Sequence, residues 1–177
     1  MNALLPMPRL RRDLLIAYLA AAAVIAQVIE AALPGPGPWF KPGLANVFTL
    51  VAFLRLGWSA AAGVTGLRVL AGSLALGTLF TPGFFLSLAG GCGAVAMLAV
   101  VRFLPGLGPV GISLLAALAH MAAQTAVAGW LIIGHAGIVA LLPWLLAGSW
   151  ISGVLNGLLT FLILEQLDRH RALLTGP

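Results

Sequence analysis

Apolar residues fill six runs along the chain, and short polar or Pro- and Gly-containing stretches separate these runs. The runs cover residues 14–33, 44–54, 58–80, 84–104, 110–133 and 137–164. A membrane β-barrel strand would alternate polar and apolar residues, and these runs do not. The pattern therefore predicts an all-α integral membrane protein, a bundle of about six transmembrane helices.

Two of the runs depart from a simple span. The second, "LANVFTLVAFL", has eleven residues, which rise only about 17 Å as a helix, against a hydrocarbon core of about 30 Å. It is either a tilted span that includes Trp39 and Phe40 or an interrupted helix. The sixth run contains Pro143, which predicts an interruption. The stretch "PGPGPWFKPG" at 34–43 predicts a structured loop.

The arginines give the orientation of the predicted bundle. With six spans and both termini cytoplasmic, the cytoplasmic side holds Arg9, Arg11, Arg12, Arg55, Arg102, Arg169 and Arg171. Lys41 alone falls in an outside loop. We expect a multi-pass protein of the bacterial cytoplasmic (inner) membrane. It forms a single transmembrane domain, 1–177, with short basic cytoplasmic ends at 1–13 and 165–177.

Composition supports the membrane class and excludes several functions. Apolar residues make up 62% of the chain and charged residues 7%, against roughly 45–50% and 25% in soluble domains. The net charge of +5 does not indicate nucleic-acid binding, because the basic residues mark the ends of apolar runs. Cys92 is the single cysteine, so no intramolecular disulfide and no cysteine metal cluster can form.

The chain also lacks the motifs of an enzyme. It has no G-x-x-x-x-G-K-[ST] nucleotide loop. Its two aspartates, Asp13 and Asp168, lie at opposite ends of the chain, so they cannot form a magnesium site for diphosphate chemistry. No nucleophile, base and acid occur together. We therefore expect no catalytic residue, no metal, no covalently bound cofactor and no nucleic-acid partner.

Arg68 is the strongest candidate for a binding residue. It lies near the middle of the third run, on a face of small residues, and a guanidinium in hydrocarbon is costly. The four acidic residues all lie near helix ends. One hypothesis is that Arg68 binds an anionic ligand, since its donors suit phosphate or carboxylate. The alternative is that it bonds to backbone carbonyls, amides or Glu30 and stabilises the bundle.

Other polar residues of the apolar runs are candidates for the same site. Asn46 and Thr49 follow Lys41 at the start of a short helix, which suits an anion site, although Asn46 equally suits a contact with a neighbouring helix. His120 and Gln124 are four residues apart and share one helix face, as ligand contacts or as interhelical hydrogen bonds. Asn156 is a similar interior residue.

Run one contains two pairs of small residues at a spacing of four. The pairs Ala17/Ala21 and Ala22/Ala26 permit the close approach of another helix. That helix belongs either to this bundle or to a docked partner protein.

Three ordered motifs, "KPGLANVFTL", "LRVLAGSLALGTLFTPGFFLSLAGG" and "GISLLAALAHMAAQ", resemble the Gx transporter family. That family also carries the description component I of heptaprenyl diphosphate synthase. The resemblance covers roughly residues 34–130, and Met121 departs from the asparagine usual at its position. The family is similar to the substrate-binding S-components of energy-coupling factor transporters. The resemblance implies that Asn46, Arg68, Thr78 and His120 fall on motif positions.

The resemblance implies a non-catalytic subunit that takes up a vitamin or related cofactor, with a separate transmembrane coupling subunit and two ATPases. A flavin and a prenyl diphosphate are both candidate ligands, and both suit Arg68. The alternative function is a membrane accessory subunit of a polyprenyl diphosphate synthase. A third is a structural scaffold in which the buried polar residues contact only one another.

Overall fold

The structure, a computed structural model, describes residues 9–33, 43–133 and 137–174. Within these ranges the chain forms six α-helices and no strand, which confirms the predicted all-α class. The helices are α1 (Arg9–Ala32), α2 (Ala45–Leu56), α3 (Trp58–Ala75), α4 (Pro82–Val101), α5 (Pro109–Ala128) and α6 (Ile138–Leu174), and a π-helical turn (Gly129–Ile133) continues α5.

Proline and glycine set several of these boundaries. Pro82 and Pro109 each begin a helix, where the missing N–H is not needed and the fixed φ is already helical. Gly57 alone separates α2 from α3, and its φ of 91° lies in the left-handed region that glycine tolerates. The chain therefore changes direction between these two helices without a loop.

Four helical segments are long and apolar enough to cross a membrane, so the chain is a multi-pass membrane protein. They are Arg9–Ala32, Pro82–Val101, Pro109–Leu131 and Ala140–Leu173. The short second run forms one continuous helix of 12 residues, too short at about 1.5 Å per residue to cross a core of about 30 Å. Trp39 and Phe40, and the predicted loop except Gly43, lie outside the described residues.

Two predictions about the limits of helices are wrong. The third helix ends at Ala75 rather than at residue 80, because Gly77 and Phe80 adopt positive φ values of 66° and 61°. The sixth helix passes through Pro143 without interruption, since Pro143 lies one turn from its N-terminus and few backbone bonds depend on its missing N–H. The end segments include helical residues, since α1 begins at Arg9 and α6 continues to Leu174, and their cytoplasmic placement stays a prediction.

Side-chain contacts show how the helices run. Arg12 Nη2 donates to Ser59 Oγ at 2.6 Å, which joins the first turns of α1 and α3. Gln27 packs against Gly72 near the last turns of the same two helices, so α1 and α3 are parallel. Leu44 N donates to Glu30 at 2.8 Å, which places the start of α2 beside the end of α1. The short α2 therefore runs antiparallel to both.

The arginines of the helix ends lie at one end of the bundle, here called the arginine end. Arg55 at the end of α2 bonds to Asp168 of α6 at 2.7 Å. The guanidinium of Arg102, after α4, lies 5.9 Å from the Trp58 ring at the start of α3. The start of α1 is joined to α3 at the same end. The opposite end, which holds Glu30 and the start of α2, is called the cavity end.

Candidate functional site

A cavity of about 440 Å³ opens between the helices in the half of the bundle nearer the cavity end. Every helix contributes to its wall, and more than half of the wall residues have polar side chains. The lining residues are Gln27, Glu30, Ala31, Gly43, Ala45, Asn46, Arg68, Ser73, Leu76, Thr78, Gly83, Leu86, Ser87, Ala117, His120, Met121, Gln124, Gly148, Ser149 and Ser152.

Arg68 reaches this cavity from α3. Its small helical neighbours, including Thr65 and Gly72, let the other helices pack closely, so only 5% of Arg68 is exposed. Its Nε atom is buried and has no hydrogen-bond partner. The two ion pairs within the described residues involve other arginines, Arg55 and Arg169. A buried charge without a paired carboxylate is unstable unless something else in the cavity solvates it.

Glu30 is the acidic residue of the described cavity wall. Its Oε1 accepts a hydrogen bond from the backbone N–H of Leu44 at 2.8 Å, which fixes the carboxylate at the junction of α1 and α2. Glu30 interacts with Arg68 through its charge but does not form an ion pair with it. Glu30 lies near a helix end, as the sequence indicated, and the last turn of α1 nevertheless brings it to the wall of the same cavity as Arg68.

Two glycines allow two polar side chains to enter the site. A Cβ atom at Gly90 would lie 2.5 Å from Cε1 of His120, so the His120 ring packs directly on the α4 backbone. A Cβ atom at Gly72 would lie 2.8 Å from Nε2 of Gln27. The buried atoms His120 Nδ1 and Gln27 Oε1 have no hydrogen-bond partner. Together with Arg68 Nε, they are unsatisfied groups at the cavity wall.

Five predicted binding residues share the wall of this cavity: Asn46, Arg68, Thr78, His120 and Gln124. Thr78 is held there by its backbone N–H, which donates to the carbonyl of Ser73 at 2.8 Å. Gly43, with φ 71°, turns the chain into α2 and lets Asn46 approach α6. The structure thus brings together residues from four helices or helix junctions that the sequence separates widely.

The remaining predicted binding residues lie elsewhere. Thr49 and Asn156 line a second cavity of only about 20 Å³, enough for about one water molecule. Thr49 shares an interhelical hydrogen bond of 3.3 Å with Thr65, and Asn156 Nδ2 donates to Ser152 within α6 at 3.3 Å. Lys41 lies outside the described residues.

A comparison with known protein families shows to which of them this chain is related. The family described as heptaprenyl diphosphate synthase component I matches residues 19–163. The chain belongs to this family. The match confirms the predicted resemblance under that description, and its likeness to transporters stays a prediction. No match was found among curated proteins or among solved structures.

The predicted docking alanines of α1 divide between two environments. Ala17 and Ala21 are exposed on the outer face of this family member. Ala22 is half-buried, and Ala26 packs against an internal cluster that includes Ala23 and Val64. One pair is therefore free for a contact outside the bundle, and docking by these residues stays a prediction.

Sequence reasoning missed several residues of the cavity wall. Gln27 could have been found, because it is a polar residue inside the first apolar run and such residues favour the bundle interior. Ser149 and Ser152 precede Asn156 on one face of α6 at helical spacing, and Ser149 Oγ donates to the carbonyl of Ala117 at 2.7 Å. Ser73 and Ser87 gave no signal of their own, because isolated serines occur on many membrane helices.

Proposed function

We propose that this chain is a membrane-embedded, substrate-binding subunit of a transporter, similar to the S-components of energy-coupling factor systems. It binds a small anionic or amphipathic cofactor, such as a flavin or a related vitamin. One observation carries the proposal: the buried Arg68, which has no ion-pair partner among the described residues, lines a cavity of about 440 Å³ together with several other polar side chains. A ligand anion would supply the missing hydrogen-bond acceptor.

The position of the cavity supports capture from outside the cell. Arginines gather at the opposite end of the bundle, and basic residues mark the cytoplasmic side of membrane proteins. The cavity then lies in the outer half of the membrane, next to the junction of α1 and α2.

The chain depends on other proteins for energy in this proposal. Its sequence has no nucleotide-binding loop, so ATP hydrolysis would come from two separate ATPases through a transmembrane coupling subunit. The exposed Ala17 and Ala21 would provide the contact with that subunit. The chain itself would bind and release its ligand without chemical change.

The family description favours a second function, that of a non-catalytic accessory subunit of a polyprenyl diphosphate synthase. Component I of such an enzyme implies a further component, which would carry the metal-dependent chemistry. Arg68 would then bind the diphosphate group of a prenyl diphosphate.

The test is to identify what the protein carries. The full chain is purified in mild detergent, and small molecules bound to it are released and identified by mass spectrometry. We expect a compound with an anionic group, and we expect Arg68→Gln to reduce its affinity by about 100-fold, as for a lost charge-assisted hydrogen bond of about 2.7 kcal/mol.

Arg169→Gln is the matched control, because it removes an exposed arginine at the other end of the bundle. It should retain the compound fully. Co-purification of a prenyl diphosphate would favour the accessory function over transport. Equal retention by wild type and Arg68→Gln, with both proteins folded, would refute the assignment of Arg68, and absence of any bound compound from the wild type would favour the scaffold function.

A further inference from the structure

We infer that the ligand is a compact zwitterion, with one singly charged anionic group at Arg68 and a cationic nitrogen at Glu30. This inference rests on the proposed function and narrows its ligand class. It starts from the charges of the cavity. Among the described lining residues, Arg68 is the basic residue with a permanent charge and Glu30 is the acidic one.

The two charges are separate within one cavity. Arg68 and Glu30 interact through their charges, but they do not form an ion pair. Each is held in place by its own helix: Arg68 by burial in α3, and Glu30 by the hydrogen bond from Leu44 N at 2.8 Å. Both charges therefore have no ion-pair partner within the part of the chain that the structure describes.

A bound molecule can satisfy both charges if its own charges are opposite and spaced apart. Its anionic group would accept hydrogen bonds from the Arg68 guanidinium, which lines the cavity. Its cationic nitrogen would donate to Glu30, whose Oε1 already accepts one backbone bond. The other polar residues of the same wall, including Gln27 and Gln124, suit an uncharged polar part of the ligand.

A multiply charged anion fits the same cavity poorly. A phosphate monoester or diphosphate brings two or more negative charges, and the described residues of the wall offer one permanent positive charge, Arg68, to balance them. The excess negative charge would lie in the same low-dielectric space as the Glu30 carboxylate. Repulsion from Glu30 therefore weakens the binding of highly charged anions and makes the cavity more specific for singly charged ones.

The test uses three probes with the full chain in mild detergent: 4-(aminomethyl)benzoate, benzoate and inorganic diphosphate. Binding is measured by isothermal titration up to about 10 mM, a concentration that detects affinities weaker than 1 mM. We expect the zwitterion to bind at least about tenfold more tightly than benzoate, and diphosphate to bind more weakly than either.

Two substitutions separate this inference from the proposed function. Glu30→Gln keeps an acceptor oxygen for Leu44 N but removes the charge, so it should abolish the preference for the zwitterion while benzoate still binds. Arg68→Gln should abolish binding of both carboxylates. Glu165→Gln, an exposed carboxylate at the arginine end, is the matched control and should change neither affinity.

Equal affinity for benzoate and 4-(aminomethyl)benzoate, or tightest binding of diphosphate, would overturn the zwitterion inference and uphold an anion site at Arg68. Failure of all three probes to bind would overturn the inference as well. If a probe does bind and Arg68→Gln leaves its affinity unchanged, Arg68 is not the anion-binding residue, and the proposed function fails together with the inference.

Discussion

Arg55 and Arg68 belong to consecutive helices, yet their surroundings differ in kind. Arg55, at the arginine end, bonds to Asp168 at 2.7 Å and to the carbonyl of Leu164 at 3.0 Å, and its side chain is 32% exposed. Arg68, at the cavity end, is 5% exposed and has an unpaired Nε. A satisfied, half-exposed arginine stabilises the protein, whereas an unsatisfied buried one makes it less stable unless a ligand is bound.

The comparison predicts that Arg68→Gln has the largest effect, a loss of ligand affinity. Ligand affinity should fall by about 100-fold, while the ligand-free protein should unfold at the same temperature or a higher one, because an uncompensated buried charge is removed. Isothermal titration and thermal unfolding in detergent measure the two quantities. A marked loss of stability in the ligand-free variant would show that Arg68 has a structural role like that of Arg55.

Gly90→Ala should have the next largest effect and tests whether His120 is held by the close approach of α4. The new Cβ would lie 2.5 Å from His120 Cε1, and such overpacking lowers the free energy of unfolding by about 1–3 kcal/mol. We also expect weaker ligand binding, because the ring must move within the cavity wall.

The control for Gly90→Ala is Gly66→Ala on α3, where an added Cβ meets nothing within 4 Å. It should leave binding unchanged and raise helix stability by up to about 0.5–1 kcal/mol. If the two variants bound and unfolded alike, close packing at Gly90 would have no part in positioning His120.

Arg55→Gln should be moderately destabilising and leave ligand binding unchanged. It removes the bond to Asp168 and the bond to Leu164, but the pair is part-exposed and therefore screened, so the loss is about 1 kcal/mol. Thermal unfolding at low and high salt measures it, and the difference from wild type should shrink at high salt. A change in ligand affinity instead would mean that the two ends of the bundle are coupled.

Arg169→Gln should have the smallest effect. Arg169 and Glu165 form an exposed pair four residues apart on α6, bonded at 2.6 Å, and such pairs contribute about 0.3–0.5 kcal/mol. Unfolding measurements on Arg169→Gln, Glu165→Gln and the double variant would isolate this pair. A coupling energy well above 1 kcal/mol would indicate that this part of α6 is buried against another segment or protein rather than exposed to solvent.

The site could be predicted only in part. Arg68, His120 and Gln124 stood out because polar side chains inside apolar runs have few favourable positions except a bundle interior. Thr49 looked equally suitable, but its hydroxyl meets Thr65 of α3 and lies away from the main cavity. Glu30 was a possible partner of Arg68, but the sequence did not show that α1 and α3 run side by side and that the two residues line one cavity without forming an ion pair.

The sequence by itself determined the membrane class, the helical class, most helix starts and the isolation of Arg68 among apolar residues. These are local properties. Hydropathy determines which segments can lie in the hydrocarbon core of a membrane, and proline and glycine determine where a helix starts or the chain turns. The tertiary structure decided which end of the bundle holds the cavity, which polar residues share its wall, and that Glu30 faces Arg68 without pairing. Those outcomes depend on contacts between helices that are distant in the sequence. Several of these contacts occur at glycines such as Gly72 and Gly90, where the missing side chain lets a side chain of another helix approach the backbone.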